Sequence, residues 1–424
     1  MTLLDADSEV GARARLVEIL VPRRLGVDFR RLLASAWISN VGDGAALAAG
    51  PLLVASQTYA PFLVALAALL QRLPWLVLGL HAGVLADRTD RRLLVASADF
   101  MRVAVLVVLS LAIATGWVSI GVVLAAMLLI GIAEVFSTTA SGTLPPMLVR
   151  SKHLGSANAR LQSSIVFGNQ LLGPPIGAAL FGVGRAVPFV TEAVCVLLGA
   201  ILILQISVRR SPTKTEQPQS ARHEIAAGVR WLLGHPPMRT LALVILTFNV
   251  TFGAAWSVLV LWSEQRLHAG AFGFGLLTAA TAVGGLCATT SFGWLDRNVS
   301  YERLMKVCLS LEVLLHLALA LTTHLWLALV LMWVFGCYAF VWGAVSQTIR
   351  QRSVPEAFQG RVGSVYLLGV FGGIVLGQAI GGLIASRWGV VAPFWFAFVG
   401  TGITLVLLWP KLGRVVPEQT VESG

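Results

Sequence analysis

Twelve long apolar runs dominate this sequence and leave few ways to fold it. They lie at residues 33–56, 61–83, 94–115, 118–140, 161–182 and 187–207 and, after a polar interval, at 240–262, 271–293, 304–322, 325–346, 363–385 and 391–410. About 20 apolar residues, each rising about 1.5 Å, cross the ~30 Å hydrocarbon core of a bilayer, where only helices or closed barrels satisfy their own backbone. The runs are unbroken rather than alternating with period two, which predicts helices and not barrel strands. The chain of 424 residues is 57% hydrophobic and only 12% charged, and a soluble protein carries about twice that charged fraction. The expectation is an all-α membrane protein with twelve transmembrane helices in two six-helix halves, 33–207 and 239–410. Segments 1–32 and 411–424 flank the halves, and a linker at 208–238 joins them.

The basic residues orient the chain. Arg13, Arg15, Arg23, Arg24, Arg30 and Arg31 at the start, Arg88, Arg91 and Arg92, Arg150 and Lys152, Arg209, Arg210, Lys214, Arg222 and Arg230 in the linker, and Arg297, Arg303, Arg350 and Arg352 fall on one side of the twelve runs. The opposite connections offer Arg185, Arg266 and Arg387. The positive-inside rule then puts both termini in the cytoplasm of a multi-pass protein of the cell membrane. The net charge of +11 is accounted for by topology and by anionic lipid, so no nucleic-acid partner is expected. About thirty hydrophilic residues before the first run argue against a removable signal peptide. Cys195, Cys287, Cys308 and Cys337 all fall inside the runs at spacings that fit no metal site and are expected to be packing residues. Within the linker, "RRSPTKTEQPQS" is expected to be flexible and "ARHEIAAGVRWLLG" to form an amphipathic helix on the inner surface.

The connection after the second run, "GVLADRTDRRLL", crowds Asp87, Arg88, Asp90, Arg91 and Arg92 together, and "GWLDRNVSYERL" after the eighth run echoes it. "VRSKHLGSANARL" before the fifth run is echoed by "IRQRSVPEAFQGRV" before the eleventh. Duplicated six-helix units around a polar path at mid-membrane are a transporter design.

Residues 83–94 resemble motif A of the major facilitator superfamily, a Gly-x-Leu-Ala-Asp-Arg-x-Gly-Arg-Arg pattern between the second and third spans. "SNVGDGAALAAGPLLVAS", "ADFMRV", "AEVFSTTASGTLPPMLV", "ANARL" and "GRVGSV", the last beginning beside Arg361, resemble the drug:proton antiporter branch that includes macrolide, tetracycline and siderophore exporters. The resemblance runs from about residue 29 to residue 410. Gly173, Pro174 and Gly177 resemble that branch's antiporter motif, with Asn169 and Ala178 where glycines are usual. Asp90 stands where motif A usually has a glycine, and Thr138 where the branch often has an acid. The resemblance implies that motif A closes a conformational latch. Asp87 is expected to cap the third helix, Arg88, Arg91 and Arg92 to pair with carboxylates or lipid phosphates, and Gly83 to let helices approach. Asp90 is expected to visit the left-handed conformation less freely than glycine does.

Charges inside the spans are costly and are therefore the candidates for proton coupling or substrate contact. Asp43 lies near the middle of the first span and is the leading proton carrier. Arg102 of the third span is expected to pair with Glu134 of the fourth, with Asp99 one turn away holding it in place. Arg72, deep in the second span, is expected to pair with Asp43 or to attract an anionic part of the substrate. Glu312 and His316 sit i to i+4 on the ninth span and share a face as a possible relay. Glu192 and Glu264 fall near span ends, where water is close. Trp37, Trp117, Trp262, Trp294, Trp326, Trp388 and Trp409 are expected to be interface anchors.

The function these features imply is secondary active export of amphipathic small molecules or drugs in exchange for protons. The partners expected are a small-molecule substrate and membrane lipid. A monomer without cofactor is expected, driven by the proton gradient because the chain has no Walker A loop. The alternatives are a dedicated exporter of one metabolite such as a siderophore, and a membrane sensor that moves no solute. A membrane-embedded enzyme is disfavoured by the lack of HExxH, GxSxG and Cys/His sets.

Overall fold

The computed structural model describes residues 25–150, 153–207 and 221–413. All regular structure among them is helical. Twelve helices are long and apolar enough to cross a membrane. The first six are Val27–Ala55, Pro61–Arg88, Arg91–Ala114, Ile120–Gly142, a broken fifth, and Val187–Leu204. The second six are Pro236–Trp256, Gly270–Asn298, Tyr301–Leu321, Leu325–Ser353, Glu356–Trp388 and Ala392–Leu412. Several outrun the apolar stretch that predicts them, because helical hydrogen bonding is internal and does not stop where apolar side chains end. The linker sequence "ARHEIAAGVRWLLG" is helical over Ala221–Gly234. Its Gly228 leaves no room for a side chain against the Arg361 carbonyl, where an added Cβ would lie 2.7 Å from the oxygen. The segment "RRSPTKTEQPQS" and the basic residues Arg13, Arg15, Arg23, Arg24, Lys152, Arg209, Arg210 and Lys214 lie outside the described residues.

The chain divides into two compact units. One comprises Met1–Ala49, Leu78–Val118 and Leu129–Thr213, and the other Gly50–Val77, Ser119–Leu128 and Lys214–Gly424. The first unit is built around Phe29, Leu33, Val95, Leu144 and Ile203, all nearly inaccessible. In the second unit the early turns of the second span pack on the eleventh: Trp75 stacks on Phe371 with centroids 5.2 Å apart, and the Phe62 amide donates to Ser386 Oγ at 3.2 Å. Trp262 packs on Phe394 at 5.1 Å and is fully buried, so it is a core residue and not an interface anchor. It belongs to a short helix, Leu259–Gln265, that follows a break in the seventh span after Trp256. Trp117, Trp294, Trp326, Trp388 and Trp409 are exposed. The four cysteines are free thiols, of which Cys308 is buried and Cys287 exposed.

The fifth span is not one α-helix. Leu154–Ser164 and Gly173–Val183 are α-helical, and the π-helical segment Ile165–Leu172 lies between them. It packs on the first span through glycines. A Cβ on Gly173 would lie 2.4 Å from Gly44 Cα, and one on Gly177 would lie 2.0 Å from the Ala45 carbonyl oxygen. Only glycine permits that approach, and Pro174 starts the second α-helical piece where no amide partner is required.

Candidate functional site

Asp43 sits in the run "NVGDGAAL", whose small residues draw three helices together around it. Gly42 faces the sixth span, where an added Cβ would lie 2.8 Å from Cys195 Cβ, and Gly44 faces Gly173 of the fifth. Ser35 Oγ donates to the Gly199 carbonyl at 3.0 Å and ties the first span to the sixth. The close approach lets carboxylates of two helices reach one guanidinium of a third. Arg102 Nη2 donates to Asp43 Oδ1 and, at 2.5 Å, to Glu192 Oε1. Arg102 and Glu192 are almost wholly buried, whereas the Asp43 side chain keeps 24% of its surface. That surface faces a cavity of about 230 Å³ lined by Asn40, Asp43, Asp99, Arg102, Ser137 and Thr138 among others. Arg102 Nε and Glu192 Oε2 are buried without a partner among the described residues.

The residues expected to act together are redistributed. Arg102 pairs with Asp43 and Glu192, not with Glu134. Glu134 contributes its field to the same cluster, but no ion pair to it is found among the described residues. Helix spacing limits which neighbours a long guanidinium meets but does not choose among them, and here the first and sixth spans present their acids directly. Asp99 is buried beside Ser137 and makes no bond to Arg102. Arg72 forms no ion pair or hydrogen bond among the described residues, and the acid expected for it is held by Arg102. Glu192, expected to need no account, is an anchor of the cluster. The available signal was an acid inside a span that also carries Cys195 and Gly199, small residues that admit a neighbouring helix.

A second polar cluster lies in the other unit. Glu312 and His316 share a face as expected, with Glu312 Oε1 and His316 Nε2 hydrogen-bonded at 2.9 Å. Tyr338 of the tenth span, absent from the sequence reading, donates its hydroxyl to Glu312 Oε2. All three are buried, and the Trp256 ring stands edge-on to His316 at 6.4 Å.

The motif region differs from expectation at three positions. The second helix runs through Asp87 to Arg88, so Asp87 is not the N-cap of the third helix, and its side chain lies outside the described residues. Asp90 is the N-cap instead, with extended backbone (φ −67°, ψ 111°) and not a left-handed one, and it accepts from the Arg92 amide at 3.0 Å. The Arg92 side chain hydrogen-bonded to it holds the Asp90 carboxyl below the usual carboxylate range. A side chain at Gly83 would meet nothing within 4 Å, so that glycine does not serve close packing here. Ser300 caps the ninth span seven positions after Gly293, as Asp90 does the third seven positions after Gly83. Arg92 also donates to the Ile206 carbonyl, and Arg31 to the Gln205 carbonyl at 2.6 Å, so two cations meet the free carbonyl end of the sixth span. Arg91 donates to the Ala86 carbonyl at 3.3 Å and contacts Met147 Sδ, while Arg88 is exposed. Arg361 lies over the Phe358 ring at 5.6 Å.

Residues 20–415 match the family described as transmembrane secretion effector. The chain is 26% identical to the enterobactin exporter EntS of Escherichia coli O6:K15:H31 (strain 536 / UPEC), with 93% of this chain and 95% of that protein covered. It is also 26% identical to the multidrug efflux pump Tap of Mycolicibacterium fortuitum, with 86% and 90% covered. A bacterial homologue of the iron transporter ferroportin superposes with a TM-score of 0.72 at 16% identity, covering 91% of this chain and 98% of the other. A bacterial homologue of the lysosomal transporter Spinster superposes at 0.69 and 14%, with 91% and 96% covered. Twelve membrane-crossing helices, a duplicated six-helix plan and a family match over nearly the whole length lead to one assignment: the chain belongs to the transmembrane secretion effector family of major facilitator superfamily transporters.

Proposed function

We propose that this transporter exports amphipathic small molecules in exchange for protons, with Asp43 as the group that trades one for the other. The observation that carries this reading is the charge balance at the cavity. Four carboxyls, Asp43, Glu192, Glu134 and Asp99, act on one guanidinium, Arg102, so full ionisation leaves three negative charges uncompensated. At membrane depth each such charge costs about 2.5–3.5 kcal/mol even on the lenient insertion scale. Protons or a cationic solute must restore neutrality, and Asp43, with surface on the cavity, is where the two compete. Glu192 keeps Arg102 anchored when Asp43 lets go.

A proton gradient supplies the energy, since one charge crossing 100 mV yields ~2.3 kcal/mol, more than a tenfold concentration ratio requires. No cofactor or catalytic step enters this reading. The protein works as a monomer in the cell membrane with both termini cytoplasmic, and motif A arginines meet lipid phosphates or carboxylates as a latch between two states. The test uses vesicles containing the protein and an internal pH dye. Adding a cationic dye to the wild type dissipates an imposed pH gradient; Asp43→Asn abolishes this while still binding dye. Unchanged proton movement in the variant removes Asp43 from the mechanism. A second reading, a dedicated exporter of one metabolite, is supported by the likeness to the enterobactin exporter. It predicts that one compound, and no wider panel, competes for transport.

A further inference from the structure

The cluster on the ninth and tenth spans has a chemistry the Asp43 site lacks. Glu312 engages both carboxyl oxygens, one with His316 Nε2 and one with the Tyr338 hydroxyl. Glu312 and His316 are fully inaccessible, and Tyr338 retains 3% of its surface. The charged and titratable groups facing the pair are few. Tyr338 comes from the tenth span, and Cys308 lies one turn back on the ninth. The twelfth span has no titratable side chain between Ala392 and Pro410, and the seventh has none between Thr240 and Trp256, whose ring edge meets His316. The nearest cation along the ninth span, Lys306, is taken by Glu302 at 2.5 Å.

Among the described residues, therefore, no permanent cation neutralises Glu312. A carboxylate with only neutral donors around it leaves one negative charge enclosed, and two hydrogen bonds repay only part of its lost hydration. One added proton makes the assembly neutral, whether it sits on Glu312 or makes His316 an imidazolium. His316 has capacity for it, because Nδ1 is buried with no partner among the described residues. We propose that Glu312, His316 and Tyr338 form a second proton-binding site, shut in this conformation, that takes up one proton from water and returns it independently of the Asp43 cavity. The site takes no organic ligand, since its enclosure admits nothing larger. It rests on the exchange reading only in giving that proton a place in the cycle.

The test is an infrared pH titration of the full-length protein in lipid nanodiscs, without substrate, between about pH 4 and pH 9. The wild type is expected to show a carboxylic-acid or imidazolium band that titrates, that vanishes in Glu312→Gln, that vanishes or moves its midpoint in His316→Gln, and that persists in Asp43→Asn. Tyr338→Phe keeps the ring packing and removes one donor to the carboxylate, and its midpoint is expected to move to higher pH by about one unit. Superimposable titrations of wild type, Glu312→Gln and His316→Gln overturn the site. Should those two fail to fold, an unmoved midpoint in Tyr338→Phe overturns it alone. Failure of the Asp43 reading is recorded separately, as unchanged vesicle proton flux in Asp43→Asn.

Discussion

The two buried polar clusters solve the same electrostatic problem in different ways. In the first unit, Arg102 is a cation that does not deprotonate, shared by acids from the first and sixth spans and open on one side to a cavity. In the second unit, Glu312 is served by an imidazole and a phenol, both neutral at need, and is sealed. A fixed charge beside a cavity suits exchange with a solute, because removing one partner leaves a demand that another ion can meet. A sealed group whose neighbours can change protonation suits storage of a proton and nothing else. The contrast lies in the identity of the counter-group.

The largest effect is expected for Arg102→Ala. It strands Asp43 and Glu192 without a cation and costs about 3–5 kcal/mol, read as a fall in the thermal midpoint of purified protein. If Arg102→Ala is no more damaging than His316→Ala, the comparison breaks. Gly177→Val comes next, at about 1–3 kcal/mol, because its side chain meets the Ala45 carbonyl. Gly83→Ala is the control and is expected to leave stability within ~0.5 kcal/mol, as nothing lies near it. Tyr338→Phe should cost about 1–2 kcal/mol and sharpen the account of the second cluster, whose hydrogen bonds would then be worth less than the first cluster's ion pairs. Asp90→Ala is the smallest effect above the Gly83→Ala control, at about 1 kcal/mol for the lost cap. Its carboxyl is held low in the folded state, so that contribution is complete above about pH 3.9, the ordinary aspartate value, and fades as pH falls through the folded value. Unfolding curves of Asp90→Ala and wild type should therefore converge in acid, and a gap that widened there would reverse the sign.

Most of the architecture was legible because long apolar runs have one physical outcome in a bilayer. The helical face shared by Glu312 and His316 was legible for a similar reason: a period fixes it. Pairing between helices was not. Arg102 had acids available on several spans, and the choice of Asp43 and Glu192 depends on how Gly42, Gly44 and Gly199 let backbones approach. Tyr338 gave no signal, since a tyrosine in an apolar run reads as packing until a carboxylate is found against it. The cap was expected at Asp87 and is found at Asp90, three positions on, because the second helix continues past the apolar run, and hydropathy does not record where hydrogen bonding ends.

The π-helical stretch in the fifth span controls its azimuth against the first. Gly173 follows Ser164 by nine positions, and at about 100° per residue an unbroken α-helix would leave the two on opposite sides. Through Ile165–Leu172 the wider coil turns each residue by only roughly 80°, and the accumulated lag brings Gly173 back beneath Ser164. Ser164 can then accept from Asn40 Nδ2 at 3.2 Å while Gly173 and Gly177 lie against Gly44 and Ala45. Inserting or deleting one residue in that stretch would swing the glycines off the first span without altering any of them. The phase of this helix is thus carried by its winding, which the letters of the glycine motif do not spell.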